Sequence, residues 1–196
     1  MATIRIDDIS PNTNFLDLKE QIHALTMALG DPEFICGLTV FSKETDEGSV
    51  YPGAPFRKNQ LPFFYDINRA LSLARIRSLY MPEDSFASHG LIHVDHKLLS
   101  YDAQEMSIVS SCKYLKAKRF IPPFNSYNHN TLSICKKNAI EPVINTETVK
   151  WKSLEFHDYD ASHEYWYYHP WRFALDELEA KLNVKSAVPA SALREV

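Results

Sequence analysis

The sequence predicts an α/β fold in which a mainly parallel sheet curls into an incomplete, distorted (β/α) barrel. Segments rich in β-forming residues alternate with segments of helical spacing along the whole chain, which is typical of parallel sheets covered on both faces. Several of the predicted strands end in polar residues, as strands that carry a site do. The chain has 196 residues, whereas a regular eight-fold barrel takes about 250.

The first half of the chain contains two predicted strands and two predicted helices. Residues 3–6 and 34–41 are rich in β-forming side chains, which indicates strands, and the first of them ends at an acidic pair. Residues 14–29 and 66–80 carry apolar side chains at three- and four-residue spacing, which indicates helices, and glycine follows the first of these. Residues 43–62 are polar and contain glycine and proline, which predicts a long loop.

The second half continues the alternation. The predicted strands are short and rich in apolar or aromatic residues, and they comprise residues 86–93, 119–124, 142–144 and 165–169. The predicted helices have helical apolar spacing, and they comprise residues 102–115, 131–138 and 171–182. In the first of these helices Met106, Val109 and Cys112 share one stripe, which we expect to face the core.

Composition excludes several classes of protein. With 45% hydrophobic residues and a net charge of −4, the chain is neither disordered nor basic enough to favour a nucleic-acid partner. Three cysteines without metal-type spacing predict buried, reduced thiols. We find neither a signal-peptide pattern nor an apolar stretch long enough to span a membrane, so we expect a cytoplasmic protein. We expect one domain over residues 1–184 and a poorly ordered tail over 185–196.

An acidic pair and a histidine cluster are the strongest candidates for chemistry. Asp7 and Asp8 end the first strand, where they either bind a metal and accept a proton or cap the following helix. His89 and His93 are four residues apart and, with a carboxylate, form a normal zinc set. Gly90 excludes the helical metalloprotease signature, which needs glutamate there. The third histidine, His96, we expect to be a bystander.

Two further strand ends carry candidate residues. The segment from Phe120 to Asn125 contains a double proline, and it either forms the wall of a pocket or merely terminates the strand. His169 follows an aromatic strand and precedes a proline, a position that suits either a general acid or a structural histidine.

Four motifs in order, IRIDDIS, SHGLIHVDH, FIPPFN and YYHPWRF, resemble those of the polysaccharide deacetylase superfamily, also called carbohydrate esterase family four. The resemblance extends over residues 4–173 and is closest to divergent members associated with surface-polysaccharide synthesis. It implies the incomplete barrel and a metal-dependent hydrolase that removes the acetyl group from an N-acetylated sugar or glycan.

The resemblance also implies a role for each matching residue. Asp7 corresponds to the general base and His169 to the general acid. Asp8, His89 and His93 correspond to the ligands of a divalent metal, for which zinc is the best candidate. The remaining matching residues correspond to substrate contacts, and they are Pro122, Pro123, Phe124, Asn125 and Trp171.

Two features depart from the family pattern. Ile121 stands where an arginine is usual beside the prolines, although Arg119 lies two residues away and on the same face of an extended strand. The aspartate–tryptophan element that normally accompanies this arginine is not recognisable, since Trp151 lacks the acid. Two hypotheses therefore remain: an active deacetylase, or a catalytically impaired relative that binds a glycan or a small metabolite.

Overall fold

The computed structural model describes residues 2–43 and 65–182. The strands are β1 (Thr3–Ile9), β2 (Glu33–Leu38), β3 (Phe41–Lys43), β4 (Tyr65–Ala70), β5 (Phe86–Ser88), β6 (Arg119–Phe120), β7 (Glu141–Pro142), β8 (Lys152–Ser153) and β9 (Tyr165–Tyr168). The α-helices are α1 (Phe15–Leu29), α2 (Leu73–Arg77), α3 (Tyr101–Leu115), α4 (His129–Lys137) and α5 (Leu175–Lys181).

Seven strands form one sheet in the order β7-β6-β5-β2-β1-β9-β8, and every neighbouring pair is parallel. The sheet curls, but β7 and β8 form its two edges and do not pair with each other. The barrel is therefore incomplete, and the predicted fold class is confirmed. A separate antiparallel pair, β3 and β4, lies outside this sheet.

Strand alternation divides the sheet into an outer and an inner face. Ile4 and Ile6 of β1 belong to the large core shared with the helices, as do Trp166 and Tyr168 of β9. The residues between them point to the opposite face, because successive side chains of a strand alternate. That inner face carries a second, smaller apolar cluster, which consists of Ile35, Ala87, Ile121 and Val143 with Trp151 packed against it.

The first helix follows its sequence signals closely. The side chain of Asn14 accepts a hydrogen bond from the backbone N–H of Leu16 and caps the N-terminus. Gly30 adopts the left-handed conformation that ends many helices, with a φ of 68°. Since Asn14 makes this cap, the acidic pair Asp7–Asp8 does not, and the capping hypothesis for that pair is wrong.

Two predicted helices need correction. Residues 66–80 are not one helix: the first five belong to β4, which pairs with β3, and only Leu73–Arg77 is helical. Non-local strand pairing here overrides a short apolar pattern that suits either structure. The predicted helix 171–182 begins as a 3-10 turn at Pro170–Arg172, and α5 follows at Leu175. Strand β8 has too few residues to produce a pattern and was not predicted.

The predicted stripe of helix α3 faces the core only in part: Cys112 is buried and Val109 packs beside it. Met106 is exposed, whereas Gln104, Ser107 and Ser111 are buried. These polar side chains find partners on neighbouring elements. For example, the hydroxyls of Ser111 and Ser88 share a hydrogen bond, and Gln104 accepts one from Thr131. The buried face thus combines apolar residues with polar ones whose partners lie on other elements, and a single-helix pattern does not show those partners.

His96 is a fully buried part of the structure, as expected of a bystander. Its Nδ1–H donates to the carbonyl of Val94 at 3.0 Å, and its Nε2 accepts from the hydroxyl of Ser107 at 3.0 Å. Burial lowers the pKa of His96 to about 4, and the nearby His89 and His93 lower it further, against the opposing effects of the Val94 carbonyl and Asp95.

The cysteines are buried and unpaired, as predicted. Burial raises the pKa of both Cys36 and Cys112 to about 12, so these thiols stay protonated at neutral pH. Two further predictions lie outside the described residues: the loop 43–62, except for residue 43, and the tail 185–196. Within residues 2–43 and 65–182 no helix is long and apolar enough to cross a membrane.

We predict that His96 makes the protein less stable in mild acid. Its pKa falls from 6.5 in an unfolded chain to about 4 in the fold, so the unfolded state binds more protons between these values. The stabilisation is therefore complete above pH 6.5 and is lost as the pH falls towards 4. The full loss amounts to about 3 kcal/mol, and urea unfolding at a series of pH values measures it.

His96→Asn is the matched variant, because asparagine keeps an amide donor for Val94 but does not titrate. We expect this variant to be less stable than the parent at pH 8 and to lose less stability between pH 6.5 and 4. Both proteins are measured with chelator, so that metal loss does not contribute. Equal losses in the two proteins would exclude His96 as the cause.

Candidate functional site

A bulge in β1 turns the two aspartates towards the same region. The pairing of β1 with β2 shifts register between Ile6 and Ile9, and Asp8 has a φ of 62° in the left-handed region. Aspartate tolerates this conformation better than most residues, and bulges commonly re-aim a side chain. In a regular strand Asp7 and Asp8 would point to opposite faces. The bulge instead brings the carboxylate of Asp8 to the histidines that follow β5.

The two histidines lie on a tight turn rather than on a helix. His89 follows β5 directly, and its N–H donates to the carbonyl of Leu38. Gly90 has a φ of 95°, and a Cβ atom there would lie 2.8 Å from the carbonyl oxygen of Ile92, so the turn requires glycine. The carbonyls of Gly90 and Leu91 then accept from Val40 and Phe41, which fixes the turn against the chain that leaves β2.

Asp8, His89 and His93 form a compact group of possible metal ligands. Oδ1 of Asp8 lies 3.1 Å from Nε2 of His89 and 2.9 Å from Nε2 of His93. All three side chains are buried, and their ligand atoms lie within 4.8 Å of one another. Burial raises the pKa of the Asp8 carboxyl, but the hydrogen bonds and charges of the two histidines outweigh burial and hold that pKa well below its usual range.

The hydrogen bonding of His89 fits a bound cation. Its Nδ1 lies 2.8 Å from the carbonyl of Ile121, which can only accept, so Nδ1 carries the hydrogen. In a neutral ring the lone pair of Nε2 then faces an oxygen of the Asp8 carboxylate. Two electron-rich atoms 3.1 Å apart need a proton or a metal ion beside them. The donor set, two imidazoles and one carboxylate, suits zinc.

The other oxygen of Asp8 faces a different pair of residues. The indole N–H of Trp171 donates to Oδ2 at 3.2 Å, and Nε2 of His169 lies 3.6 Å from the same atom. Nδ1 of His169 donates to the carboxylate of Glu155, which also accepts from the backbone N–H of His169. Burial lowers the pKa of His169, but Glu155 and the charges of Asp8 and Asp7 outweigh burial and raise that pKa.

A fully buried arginine holds Asp7. Nη2 of Arg5 donates to Oδ2 of Asp7 at 2.8 Å and to the side-chain oxygen of Asn125 at 2.8 Å. Its guanidinium lies 5.0 Å from the ring centroid of Trp151 and 4.8 Å from that of Tyr167, within the range of cation–π contacts. Two aromatic rings and two acceptors therefore surround this buried charge.

Arg119 does not replace the arginine that the family pattern has at Ile121. Its guanidinium pairs with Glu33 and Glu141, which begin β2 and β7. Parallel strands place those residues at the amino-terminal edge of the sheet, opposite the edge that carries Asp7. Ile121 itself is fully buried in the inner apolar cluster.

The double proline leads into a strained turn beside the histidines. Pro122 and Pro123 are buried, whereas Phe124 and Asn125 are exposed and both adopt left-handed φ values, 58° and 51°. The backbone N–H groups of Asn125 and Ser126 bond to the proline carbonyls, so they do not point to a ligand. The ring of Phe124 instead packs edge-on against His93, with centroids 4.5 Å apart. The segment thus forms a wall beside His93, and the side chain of Phe124 is the part of this wall that packs on the histidine.

The structure brings the predicted acid, base and metal ligands together and leaves out His96. Sequence reasoning missed two residues of the site. Arg5 had a usable signal, since it lies two residues before Asp7 and therefore on the same strand face. Glu155 had none, because it lies in an irregular segment 14 residues before His169, a separation that indicates no contact.

We predict that the purified protein binds about one Zn²⁺ per chain. His93→Ala removes one of three ligands and should weaken binding at least 100-fold, because the two remaining ligands form no chelating set of comparable strength. Competition with a chromophoric chelator measures the affinity. His23→Ala, on the exposed face of α1, is the control and should bind like the parent. Equal affinity of His93→Ala and the parent would contradict the assignment.

Comparison with known proteins supports the fold. No protein-family model matches the chain, and no curated protein matches it. Among solved structures, a family 4 carbohydrate esterase from Streptomyces lividans, determined in complex with acetate, is similar with a TM-score of 0.52 and 12% identity. The match covers 100% of this chain and 96% of that one. The described part of this chain therefore shares the fold of that esterase.

Proposed function

We propose that this protein is a metal-dependent hydrolase that removes the N-acetyl group from a sugar or glycan intermediate. The observation that carries the proposal is the convergence of two distinct groups at the carboxyl edge of the sheet. One group, Asp8 with His89 and His93, suits a divalent cation. The other, Asp7 and His169, offers a base and an acid close to it. The similarity to a carbohydrate esterase supports the choice of substrate class.

Asp8, His89 and His93 would hold the metal, with a coordination position left for water. When bound, such an ion lowers the pKa of water from 15.7 to about 7 and polarises the acetyl carbonyl. The three side chains are buried, which limits competition by bulk solvent and strengthens electrostatic effects. Zinc is the proposed metal because of the histidine-rich donor set.

Asp7 is the proposed general base. Arg5 holds one of its oxygens, Oδ2, and so fixes the direction of the carboxylate. The other oxygen, Oδ1, has no hydrogen-bond partner within the described part of the chain and keeps its lone pairs for a proton. A positioned base of this kind contributes about 10²–10⁴-fold to the rate.

His169 is the proposed general acid. Glu155 accepts from Nδ1 and sets the ring orientation, which leaves Nε2 to carry the proton that is transferred. The raised pKa of His169 favours the imidazolium, the form that an acid needs at the start of the reaction. Its task is to protonate the amide nitrogen, which stays on the sugar, as its bond to the acetyl carbon breaks, since an unprotonated amine is a poor leaving group.

Pro122, Pro123, Phe124, Asn125 and Trp171 are the proposed substrate contacts. Phe124 is the most accessible of the apolar groups beside the metal ligands, with half of its side chain exposed. It offers a flat surface for the acetyl methyl or a sugar face. The association with surface-polysaccharide synthesis and the cytoplasmic location stay predictions, which acetate release from a panel of N-acetyl sugars and cell fractionation test.

The alternative, a catalytically impaired protein that binds a glycan or small metabolite, is favoured by one observation. Ile121 occupies the position of the expected arginine and offers no charge to Asp7. The contact between Arg5 and Asp7 favours the active enzyme, because Arg5, on the same strand as Asp7, supplies the guanidinium that Ile121 lacks. The following experiments separate the two hypotheses, since an impaired protein releases no acetate before or after mutation.

We predict opposite effects for the two neighbouring aspartates. Asp7→Asn should bind zinc like the parent and lose about 10²–10⁴-fold in kcat, because an amide does not accept the proton. Asp8→Asn should weaken zinc binding itself, because it removes the anionic ligand. Acetate release and chelator competition on the same preparations measure both effects.

The exposed Asp102→Asn on α3 controls for the general effect of removing a carboxylate. Parental turnover in Asp7→Asn would exclude Asp7 as the base. A parent that binds zinc but releases no acetate from any N-acetyl sugar would favour the binding protein instead.

We predict that the cost of His169→Ala depends on the leaving group. An amine must be protonated to depart, whereas a phenolate departs from an aryl acetate without help. The variant should therefore lose at least 100-fold in kcat on an N-acetyl sugar and much less on an aryl acetate. Glu155→Gln should show the same pattern with smaller losses, because it only misorients the ring. Equal losses on both substrates would indicate a structural role for His169.

A further inference from the structure

The two oxygens of Asp8 have different partners. Oδ1 faces Nε2 of both His89 and His93 and is the atom directed to the candidate metal. Oδ2 accepts the indole N–H of Trp171 at 3.2 Å, while Nε2 of His169 lies farther away, at 3.6 Å. Only 5% of the Asp8 side chain is exposed, so water does not compete freely for either oxygen. One oxygen of the carboxylate therefore faces the candidate metal ligands, and the other accepts a hydrogen bond from Trp171.

Hydrogen bonds on both sides of Trp171 fix the turn that carries it. Gln21, a buried polar residue of α1, donates to the carbonyls of Pro170 and Phe173, each at 3.0 Å. These carbonyls flank Trp171, so a single amide group anchors the turn to α1. The indole also contacts the ring of His169, at 5.5 Å between centroids, and the guanidinium of Arg172, at 4.7 Å. Its N–H direction is thus set by packing on several sides.

We propose that Trp171 is a positioning residue for the metal ligand Asp8. Its N–H occupies Oδ2, so that Asp8 offers the cation Oδ1 alone and a coordination position stays available for water. A carboxylate that rotated to bind through both oxygens would fill that position. This inference rests on the metal site of the proposed function and is independent of which acyl substrate is hydrolysed.

Tryptophan suits this role because its indole nitrogen is a donor only and carries no charge. A lysine or arginine at the same place would also hold Oδ2, but its positive charge would repel a divalent cation a few ångströms away. A serine hydroxyl could rotate and accept instead of donate. A neutral, rigid donor therefore orients the ligand at the smallest electrostatic cost to metal binding.

The test is metal binding by variants that lack only this hydrogen bond. Trp171→Phe keeps an aromatic ring, and replacement of Trp171 by the isosteric β-(3-benzothienyl)alanine removes the N–H with almost no change of shape. Zn²⁺ affinity is measured by chelator competition, and Co²⁺ binding by visible absorption, whose intensity falls as the coordination number rises. Trp166→Phe is the matched control, because the N–H of Trp166 donates to the carbonyl of His163 in the outer core.

We expect both Trp171 replacements to weaken zinc binding about 10- to 100-fold, the usual effect of losing a partner of a metal ligand. Their Co²⁺ absorption should also weaken, since the freed Oδ2 adds a ligand. Trp166→Phe should retain the parental affinity and spectrum even if its melting temperature falls. The isosteric replacement keeps the test valid if Trp171→Phe does not fold.

Parental affinity and spectrum in the isosteric variant would overturn the role of Trp171 while leaving the metal site intact. Equal weakening in Trp166→Phe would also overturn it, because the effect would then be one of general stability. A parent that binds neither Zn²⁺ nor Co²⁺ would overturn the metal site of the proposed function, and the inference with it.

Discussion

The buried negative charge of Asp8 is the constraint around which the site is organised. An isolated carboxylate in a protein interior costs several kcal/mol, so its position requires compensating partners. These partners come from three separate parts of the chain: the turn after β5, the end of β9 and the 3-10 turn that follows it. The left-handed backbone at Asp8 adds a further local cost. Both costs fall on Asp8, and such local costs are common at functional sites.

The curled parallel sheet can meet this constraint because its two faces serve different purposes. On β1 and β9 the outward residues are apolar and fully buried against the helices, as Ile4 and Trp166 illustrate. The inward residues of the same strands, Arg5 and Tyr167, are in contact with each other and support Asp7. Hydrophobic burial on the outer face supplies stability, so the inner face is free to carry charge.

Local signals predicted most of the fold, and contacts between distant residues account for what they missed. The spacing within 15–29 and the cap at Gly30 predicted α1, because helix period and caps are local properties. The strand pairing of β4 is not local, and the apolar pattern alone favoured a helix there. In the site, the motif order singled out Asp8, His89, His93 and His169, which the structure brings together, but no sequence signal near Glu155 indicated its contact with His169.

The contact between Arg5 and Asp7 shows why matching a motif by position misses part of such a site. Ile121 occupies the motif position, and its Cδ1 lies only 3.0 Å from where a Cβ of Gly37 would be, so this part of the inner face is filled with apolar atoms. The guanidinium comes instead from Arg5, which lies on β1 two residues before Asp7 itself. Trp151, which lacks its usual acidic neighbour, covers one face of that charge. The carboxylate of Asp7 needs a positive charge beside it, and any inward-facing residue that reaches this position can supply that charge, whichever strand it belongs to.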